Sequence, residues 1–216
     1  MTGENNELHE KSGFSYRMAR PSVESGEVVI LLHGSGVDEA TMLPLGRSIA
    51  LQATLVAVRG RIRQEDGWRW FERITPTSFG QQSIRAETAA FASFLEKLSK
   101  AEGIDTTRAL YVGYSNGANL LSSLMLLNPG LVGRAALLRA MPVLDEVPDT
   151  DLAGARVLVL AGETDVTYGP YAPALTRLLK AHGAAVESHV VPRGHDFGEE
   201  DSALIRRWLE ADISVA

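Results

Sequence analysis

Ser115, Asp165 and His195 lie far apart in the sequence, and together their side chains could carry out nucleophilic catalysis. A serine hydroxyl is a weak nucleophile at neutral pH, so it needs a base within hydrogen-bond distance and a third group that orients that base. Histidine and a carboxylate are the usual residues for those two roles. These residue types therefore predict acyl transfer through a serine nucleophile, provided that the fold brings the three side chains together.

Ser115 is the central residue of a Gly-Tyr-Ser-Asn-Gly segment, residues 113–117. The segment follows an apolar run at 109–112 and precedes a helix-like stretch at 118–127. A strand, a sharp turn and a helix with serine at the apex form a nucleophile elbow, which holds the hydroxyl above the carboxyl edge of a sheet. Because the serine backbone is strained there, glycines beside it let the strand and the helix approach closely. The segment therefore predicts Ser115 as the nucleophile.

The partners of Ser115 are predicted from the strands that they follow. Asp165 comes just after the apolar run 157–160, and His195 comes just after the run 186–191. Serine, then aspartate, then histidine is an order in which this triad occurs, with each residue at the carboxyl end of a strand. We therefore expect Asp165 and His195 at the same sheet edge as Ser115.

Other carboxylates and histidines are alternatives to Asp165 and His195. The carboxylates after the predicted strand 135–138 are Asp145, Asp149 and Asp151. Glu163 is a weaker candidate, and Asp196 adjoins His195, where chain neighbours rarely aim at each other's side chains. Surface or packing roles are expected for the histidines outside this loop: His9, His182 and His189.

The loop after the apolar run 28–32 reads His-Gly-Ser-Gly over residues 33–36. Acyl transfer needs N–H donors for the negative oxygen of the tetrahedral intermediate, and removing one donor typically costs about 10²- to 10³-fold in rate. The amide of Asn116, the residue after the nucleophile, is the first expected donor. The amide of Ser35 is our prediction for the second, and His33 is expected to brace the loop. A plain strand–helix turn is the alternative interpretation.

Composition sets the class of protein. With 216 residues, 45% of them hydrophobic and 22% charged, the chain fits a single globular domain over residues 13–216, after a flexible tail at 1–12. A net charge of -6 and a pI near 5.4 argue against nucleic-acid binding. There is no cysteine, which excludes disulfides and thiolate chemistry. The polar start and the absence of a long apolar run favour a cytoplasmic protein without membrane contact. The sequence leaves a homodimer open.

Short apolar runs alternate with helix-like segments. The runs are at 28–32, 54–58, 109–112, 135–138, 157–160 and 186–191, with an antiparallel edge strand expected at 14–18. The helix-like segments are at 41–50, 82–100, 116–128, 170–182 and 199–211. Uninterrupted apolar strands are typical of burial on both faces. The pattern predicts an α/β fold with a mostly parallel, doubly wound sheet flanked by helices.

The sequence resembles the phospholipase/carboxylesterase family of α/β-hydrolases, which includes bacterial carboxylesterases and acyl-protein thioesterases. The matching segments read Leu-Leu-His-Gly-Ser-Gly at 31–36, Arg-Trp-Phe at 69–71, Gly-Tyr-Ser-Asn-Gly-Ala-Asn at 113–119 and Gly-His at 194–195. The thioesterase branch usually carries glutamine after the serine and a second glycine further on, where this chain has Asn116 and Ala118. That departure argues against depalmitoylation.

The resemblance implies an α/β-hydrolase fold and a serine esterase, without metal or cofactor, that acts on small-molecule esters with short or medium acyl chains. A thioesterase or a lysophospholipase with the same triad is the alternative within the enzymes. A non-catalytic binding protein of this fold is the alternative outside them.

A long connection at 59–80 carries Trp68, Trp70, Phe71 and Phe79. These rings could form a wall of the substrate pocket, or they could pin the connection to the core; both interpretations are open. Met141 is a further candidate for lining the pocket. Arg139 could anchor a nearby carboxylate or extend to solvent. The chain between residues 142 and 155 is too short for a large cap domain, which favours an open site and a water-soluble substrate.

Overall fold

The structure is a computed structural model that describes residues 7–23, 25–65 and 67–213. The strands are β1 Leu8–Lys11, β2 Phe14–Ala19, β3 Val28–Leu32, β4 Thr54–Val58, β5 Ile62–Gln64, β6 Gly67–Arg69, β7 Arg73–Thr75, β8 Ser78–Phe79, β9 Leu110–Tyr114, β10 Arg134–Leu138, β11 Arg156–Gly162 and β12 Ala185–Val191. The helices are α1 Leu43–Ile49, α2 Gln81–Glu102, α3 Asn116–Leu127, α4 Ala172–Ala181 and α5 Glu199–Ile213. Short 3-10 turns at Glu39–Met42 and Gly169–Tyr171 precede α1 and α4.

In the described part of the chain, eight strands form one sheet in the order β1-β2-β4-β3-β9-β10-β11-β12. From β4 to β12 every neighbouring pair is parallel, whereas β2 pairs antiparallel with both β1 and β4. The predicted mostly parallel sheet is therefore confirmed. Parallel strands end at a common edge, so the residues that follow β3, β9, β11 and β12 are brought to one side of the fold.

The central strands are predominantly apolar and almost wholly buried, so the sheet has a core on each face. In β3, Ile30 and Leu32 join the core that is covered by α2, α3 and α4. Val29 and Leu31 point the other way, into the core covered by α1 and α5. This alternation with a period of two residues is what an uninterrupted apolar strand needs to fill two cores.

Three local features differ from the expectations. Part of the predicted flexible tail is wrong, because Leu8–Lys11 is a strand paired with β2; residues 1–6 lie outside the described residues. β2 is antiparallel, as predicted, but it is not the edge of the sheet, because β1 pairs with it on its outer side. The connection at 59–80 contains two small hairpins, β5–β6 and β7–β8, rather than a wholly irregular loop.

The prediction that a large cap is missing is confirmed. Residues 139–155, all of them described, run from β10 to β11 without forming a helix. The carboxyl edge of the sheet is therefore not covered by an inserted domain from this connection. Among the described residues, no helix combines the length and apolar character that crossing a membrane requires.

Candidate active site

Ser115 occupies the turn between β9 and α3, with φ 51° and ψ -115°. A positive φ is uncommon for a residue other than glycine, and such strained conformations cost about 1–3 kcal/mol. The turn is held from outside, since the Ser115 N–H donates to the carbonyl of Leu138 at 2.8 Å. The residue is half-buried rather than enclosed in the core.

The glycines of the elbow allow the close approach that the sequence predicted. A Cβ on Gly113 would lie 2.6 Å from the Cα of Ala118, inside the first turn of α3. A Cβ on Gly117 would lie 2.5 Å from the carbonyl oxygen of Leu32, at the end of β3. Both obstacles are backbone atoms, which cannot rotate away as a flexible side chain can.

We expect Gly117→Ala to destabilise the protein by about 1–3 kcal/mol, because the added methyl group forces backbone elements apart. For a chain of this size, each kcal/mol lowers the Tm by about 2–4 °C. Thermal unfolding followed by circular dichroism measures the shift. Gly133→Ala is the matched control, since a Cβ there would meet its nearest neighbour at 3.6 Å. Equal melting temperatures for the two variants would contradict the prediction.

Ser115, Asp165 and His195 lie together at the carboxyl edge of the sheet. His195 Nε2 is 2.9 Å from Ser115 Oγ, and His195 Nδ1 is 2.7 Å from Asp165 Oδ2. A carboxylate only accepts hydrogen bonds, so the neutral ring carries its proton on Nδ1 and presents the lone pair of Nε2 to the hydroxyl. In this arrangement a histidine can take the proton of an attacking serine.

Asp165 is fixed by its surroundings. Its side chain is buried, and the oxygen that does not face His195 accepts the N–H of Tyr168 at 3.0 Å. The backbone N–H of Asp165 turns back to the carbonyl of Gly162 at 3.3 Å. Both carboxylate oxygens are thereby engaged, which holds the one facing His195 in place.

The alternative residues lie elsewhere. Among the alternative carboxylates, four are exposed to solvent: Asp145, Asp149, Asp151 and Glu163. The Asp196 carboxylate faces Arg193, with an Oδ2–Nη1 distance of 3.4 Å. The other histidines have other neighbours: His9 stacks on Tyr16, His182 Nδ1 lies 3.0 Å from the carbonyl of Thr150, and His189 contacts Glu187. Among the residues considered from the sequence, only His195 contacts the Ser115 hydroxyl, and only Asp165 contacts His195 Nδ1.

The loop that was predicted to supply an oxyanion donor lies directly against the elbow. A Cβ on Gly34 would be 3.6 Å from Ser115 Cβ and 2.7 Å from the ring of Tyr114. The next residue, Ser35, is exposed. Asn116 is the first residue of α3, and the first N–H groups of a helix have no acceptor within that helix. The loop and the first turn of α3 therefore both adjoin Ser115, and the role of the Ser35 and Asn116 amides as donors stays a prediction.

His33 braces this loop through both ring nitrogens. Its Nε2 accepts the N–H of Gly60 at 2.9 Å, so its proton resides on Nδ1, which donates to the carbonyl of Gly34 at 2.6 Å. The ring is fully buried, and this burial lowers its pKa from 6.5 to about 4. The predicted bracing role is confirmed by these hydrogen bonds.

The low pKa of His33 predicts that acid destabilises the protein. Between pH 6.5 and about 4, the unfolded chain binds a proton at this residue that the folded chain does not, so stability falls as the pH falls through that window. The full loss attributable to this ring is about 3 kcal/mol. Two-dimensional NMR of the imidazole nitrogens tests the cause: the His33 ring should stay neutral down to about pH 5. A ring that gains its proton near pH 6.5 would contradict the assignment.

A buried carboxylate and its arginine partners lie next to the loop at 33–36. Glu39 is fully buried at the start of the turn that follows the loop, and it accepts hydrogen bonds from Arg59 and Arg17. Burial by itself would raise the pKa of Glu39, but these guanidinium groups outweigh it and hold that pKa below its usual value. Arg59 and Arg63 also lie over the ring of Trp68, at 5.2 and 4.6 Å from its centroid.

The residues suggested as pocket walls divide into two groups. Trp68 is half-buried and could meet a substrate, whereas Trp70, Phe71 and Met141 are at most 3% exposed and belong to the core. Trp70 donates its ring N–H to the carbonyl of His33 at 2.9 Å, and its backbone N–H to Asn116 Oδ1 at 2.7 Å. These three side chains face the core rather than an open pocket, which corrects their assignment as pocket walls.

The sequence did not single out the rings that surround His195. Tyr168 and Tyr114 lie 4.7 and 5.4 Å from the imidazole centroid, and Phe197 packs on Tyr114 at 4.9 Å. All three are half-buried. Burial raises the pKa of Tyr114 to about 12, so its phenol stays neutral beside the histidine. Their closeness in sequence to Ser115, Asp165 and His195 is the signal that could have identified them.

Arg139 does not extend to solvent, so that alternative is wrong. The residue is 2% exposed, and its guanidinium binds the carboxylate of Asp201, which is itself fully buried. The second interpretation from the sequence, that Arg139 anchors a nearby carboxylate, is confirmed. The partner lies in the first turn of α5.

Comparison with known proteins places this fold among the α/β-hydrolases. A carboxylesterase from Mesorhizobium loti is 59% identical, with a TM-score of 0.93, and the match covers 96% of this chain and 99% of the other. The Bacillus cereus carboxylesterase is 27% identical, with a TM-score of 0.87, over 92% of this chain and 94% of its own. The protein MhqD of Bacillus subtilis (strain 168) is 29% identical over 190 residues, 88% of this chain and 95% of that protein. No model of a known protein family matches the sequence.

The chain belongs to the carboxylesterase family that its motifs indicated, the phospholipase/carboxylesterase family of α/β-hydrolases. It is an enzyme, a carboxylesterase.

Proposed function

We propose that this carboxylesterase hydrolyses small-molecule esters with short or medium acyl chains through Ser115, His195 and Asp165. The observation that supports the proposal most is the unbroken hydrogen-bonded series from hydroxyl to imidazole to carboxylate, at 2.9 and 2.7 Å. These distances lie within the range that nucleophile activation requires.

In the first half of the reaction, Ser115 Oγ attacks the ester carbonyl while His195 Nε2 takes the hydroxyl proton. Asp165 keeps the ring in the required tautomer and stabilises the imidazolium that forms. The N–H groups of Asn116 and Ser35 donate to the oxyanion of the tetrahedral intermediate. The imidazolium then returns its proton to the departing alkoxide, which leaves as the alcohol, and the acyl group remains on Ser115.

In the second half, a water molecule attacks the acyl-enzyme and His195 takes its proton. The tetrahedral intermediate collapses, Ser115 recovers its proton from the ring, and the carboxylic acid leaves. The connection at 139–155 leaves the sheet edge without a helical cap, which favours esters dissolved in water over esters at a lipid surface. Thioesters and lysolipids present the same carbonyl chemistry and are compared with esters in the test below.

A fluorophosphonate probe tests the mechanism, because it forms a covalent bond with an activated serine. We expect one label per chain, at Ser115, and competition between the label and a substrate ester. A panel of p-nitrophenyl esters from acetate to palmitate, beside a thioester and a lysolipid, tests the substrate class. The largest kcat/KM should fall on acyl chains of medium length or shorter. Labelling at another serine, or no labelling of an enzyme that hydrolyses the esters, would refute the proposed nucleophile.

A further inference from the structure

Arg139 occupies an unusual position in the fold. It follows β10 directly, has a backbone φ of 54°, and buries its guanidinium completely. A charged group is taken out of water only at a large cost, so a fully buried arginine needs partners for all of its donors. Those partners show which part of the molecule the residue holds.

Every N–H of the guanidinium has an acceptor. The acceptors are Asp201 Oδ1 at 2.8 Å, Asp201 Oδ2 at 3.0 Å, the carbonyl of Gly194 at 3.0 Å, the carbonyl of Asp196 at 2.7 Å and the carbonyl of Leu160 at 3.3 Å. An arginine has five such donors in a fixed planar arrangement, and here all five are engaged. Two of the five go to the carbonyl groups immediately before and after His195.

We propose that the buried pair of Arg139 and Asp201 is a positioning element that sets the place of His195 relative to Ser115. The inference rests on the proposed function, since it assigns a role in the chemistry of the same three residues. The guanidinium touches neither the substrate nor the reacting atoms, so Arg139 acts through the histidine loop and is not itself a catalytic residue.

The histidine loop is held from two sides. On one side, the carbonyl of Arg193 accepts the N–H of Thr164 at 3.0 Å, which ties the loop to the turn that carries Asp165. A Cβ on Gly162 would lie 2.0 Å from the carbonyl oxygen of Gly194, so the two segments are in direct contact. On the other side, Arg139 is the one residue in the described part of the chain that donates to the carbonyls of Gly194 and Asp196. Without it, the residues before and after His195 would each lose a hydrogen bond that restrains their carbonyl groups.

Asp201 extends this restraint to α5. Its Oδ2 also accepts the N–H of Gly198 at 2.9 Å, three residues earlier in the chain. A carboxylate that reaches back to the first free N–H of a helix is half of a capping box, so Asp201 fixes where α5 begins. The pair therefore joins β10, the histidine loop and α5 at one point. Because the hydrogen bonds of His195 tolerate little displacement, this junction determines how often the ring is in the reactive position.

The test separates positioning from stability. Removing one partner leaves an unpaired buried charge, so the variant of choice is the double replacement Arg139→Met with Asp201→Leu, which removes both charges together. Two isosteric or charge-conserving variants, Asp201→Asn and Arg139→Lys, provide the comparison if the double variant folds poorly. The matched control is Arg61→Met with Glu87→Leu. It removes another bidentate arginine–carboxylate pair, which joins the connection after β4 to α2.

Each variant is titrated with the fluorophosphonate probe, and kcat is expressed per labelled Ser115, so that unfolded protein does not count. We expect the double variant to lose about 10- to 100-fold in kcat, with KM changed by less than about threefold, because small displacements of a reacting group cost that much. Arg139→Lys should recover part of the loss, since an ammonium group still pairs with Asp201 but cannot bind both carbonyls. In proton NMR, the deshielded signal of the His195 Nδ1–H bond to Asp165 should broaden or disappear in the double variant and remain in the control.

A double variant, or failing that an Asp201→Asn variant, with wild-type kcat per labelled site would overturn the positioning role. An equal loss in the control pair would do so as well, because the effect would then reflect general destabilisation. A wild-type enzyme that is not labelled at Ser115 would instead refute the proposed function, so the two failures are distinguishable.

Discussion

Replacement of Ser115 by alanine is expected to lower kcat for ester hydrolysis by about 10⁶-fold. The hydroxyl that lies 2.9 Å from His195 Nε2 is the atom that would bond to the acyl carbon, and alanine offers no substitute for it. Water activated by the same histidine, with the oxyanion donors still in place, would account for the residual rate. Hydrolysis of p-nitrophenyl butyrate under saturating substrate measures the loss.

Ser188→Ala is the control for this replacement, because that serine is exposed on β12 and its loss should leave kcat unchanged. The fluorophosphonate label should attach to the control and fail to attach to Ser115→Ala. Alanine is smaller than serine and introduces no clash in the turn, so the variant should melt near the wild-type temperature. Substantial hydrolysis by a folded Ser115→Ala enzyme would show that another group is the nucleophile.

The sheet could be predicted from the sequence because its signal is local and strong. Val28–Leu32 is apolar at every position and Thr54–Val58 at every position after Thr54, and both strands have the predicted bounds. The bounds of β9, β10 and β11 differ from the predictions by one or two residues, at ends where polar or small residues continue the pairing. Parallel topology then placed the residues after these strands at one edge, which is why Ser115, Asp165 and His195 could be identified together.

Features that depend on distant partners could not be predicted in this way. The strand Leu8–Lys11 is largely polar, and it forms because β2 offers an unpaired edge, which no pattern within those four residues indicates. The partner of Arg139 is 62 residues away, so the sequence could not decide between burial and exposure. The aromatic residues at 70–71 have a hydrophobic pattern that fits a pocket wall and a core equally well. Only their tertiary packing places them in the core.

Asp165→Asn should lower kcat by about 10³- to 10⁴-fold, the second largest effect that we expect from a single replacement. The amide has nearly the shape of the carboxylate, and one of its atoms can still accept the N–H of Tyr168. Its NH₂ group would face His195 Nδ1 and donate to it, which forces the ring proton onto Nε2. The ring then presents a donor to Ser115 Oγ where an acceptor is required, and no negative charge remains to stabilise the imidazolium. The geometry is conserved while the chemistry is lost.

Steady-state kinetics across an ester panel measure this loss, and the rate of fluorophosphonate labelling should fall in parallel, because both depend on removing the Ser115 proton. Asp149→Asn is the matched control: it makes the same chemical change at an exposed carboxylate that the sequence alone left as an alternative, and it should retain wild-type kcat. The comparison also separates the role of Asp165 from that of a general electrostatic field, since each variant removes one negative charge. If the two variants lost activity equally, or if only Asp149→Asn did, the carboxylate that orients His195 would have to be sought after β10 rather than after β11.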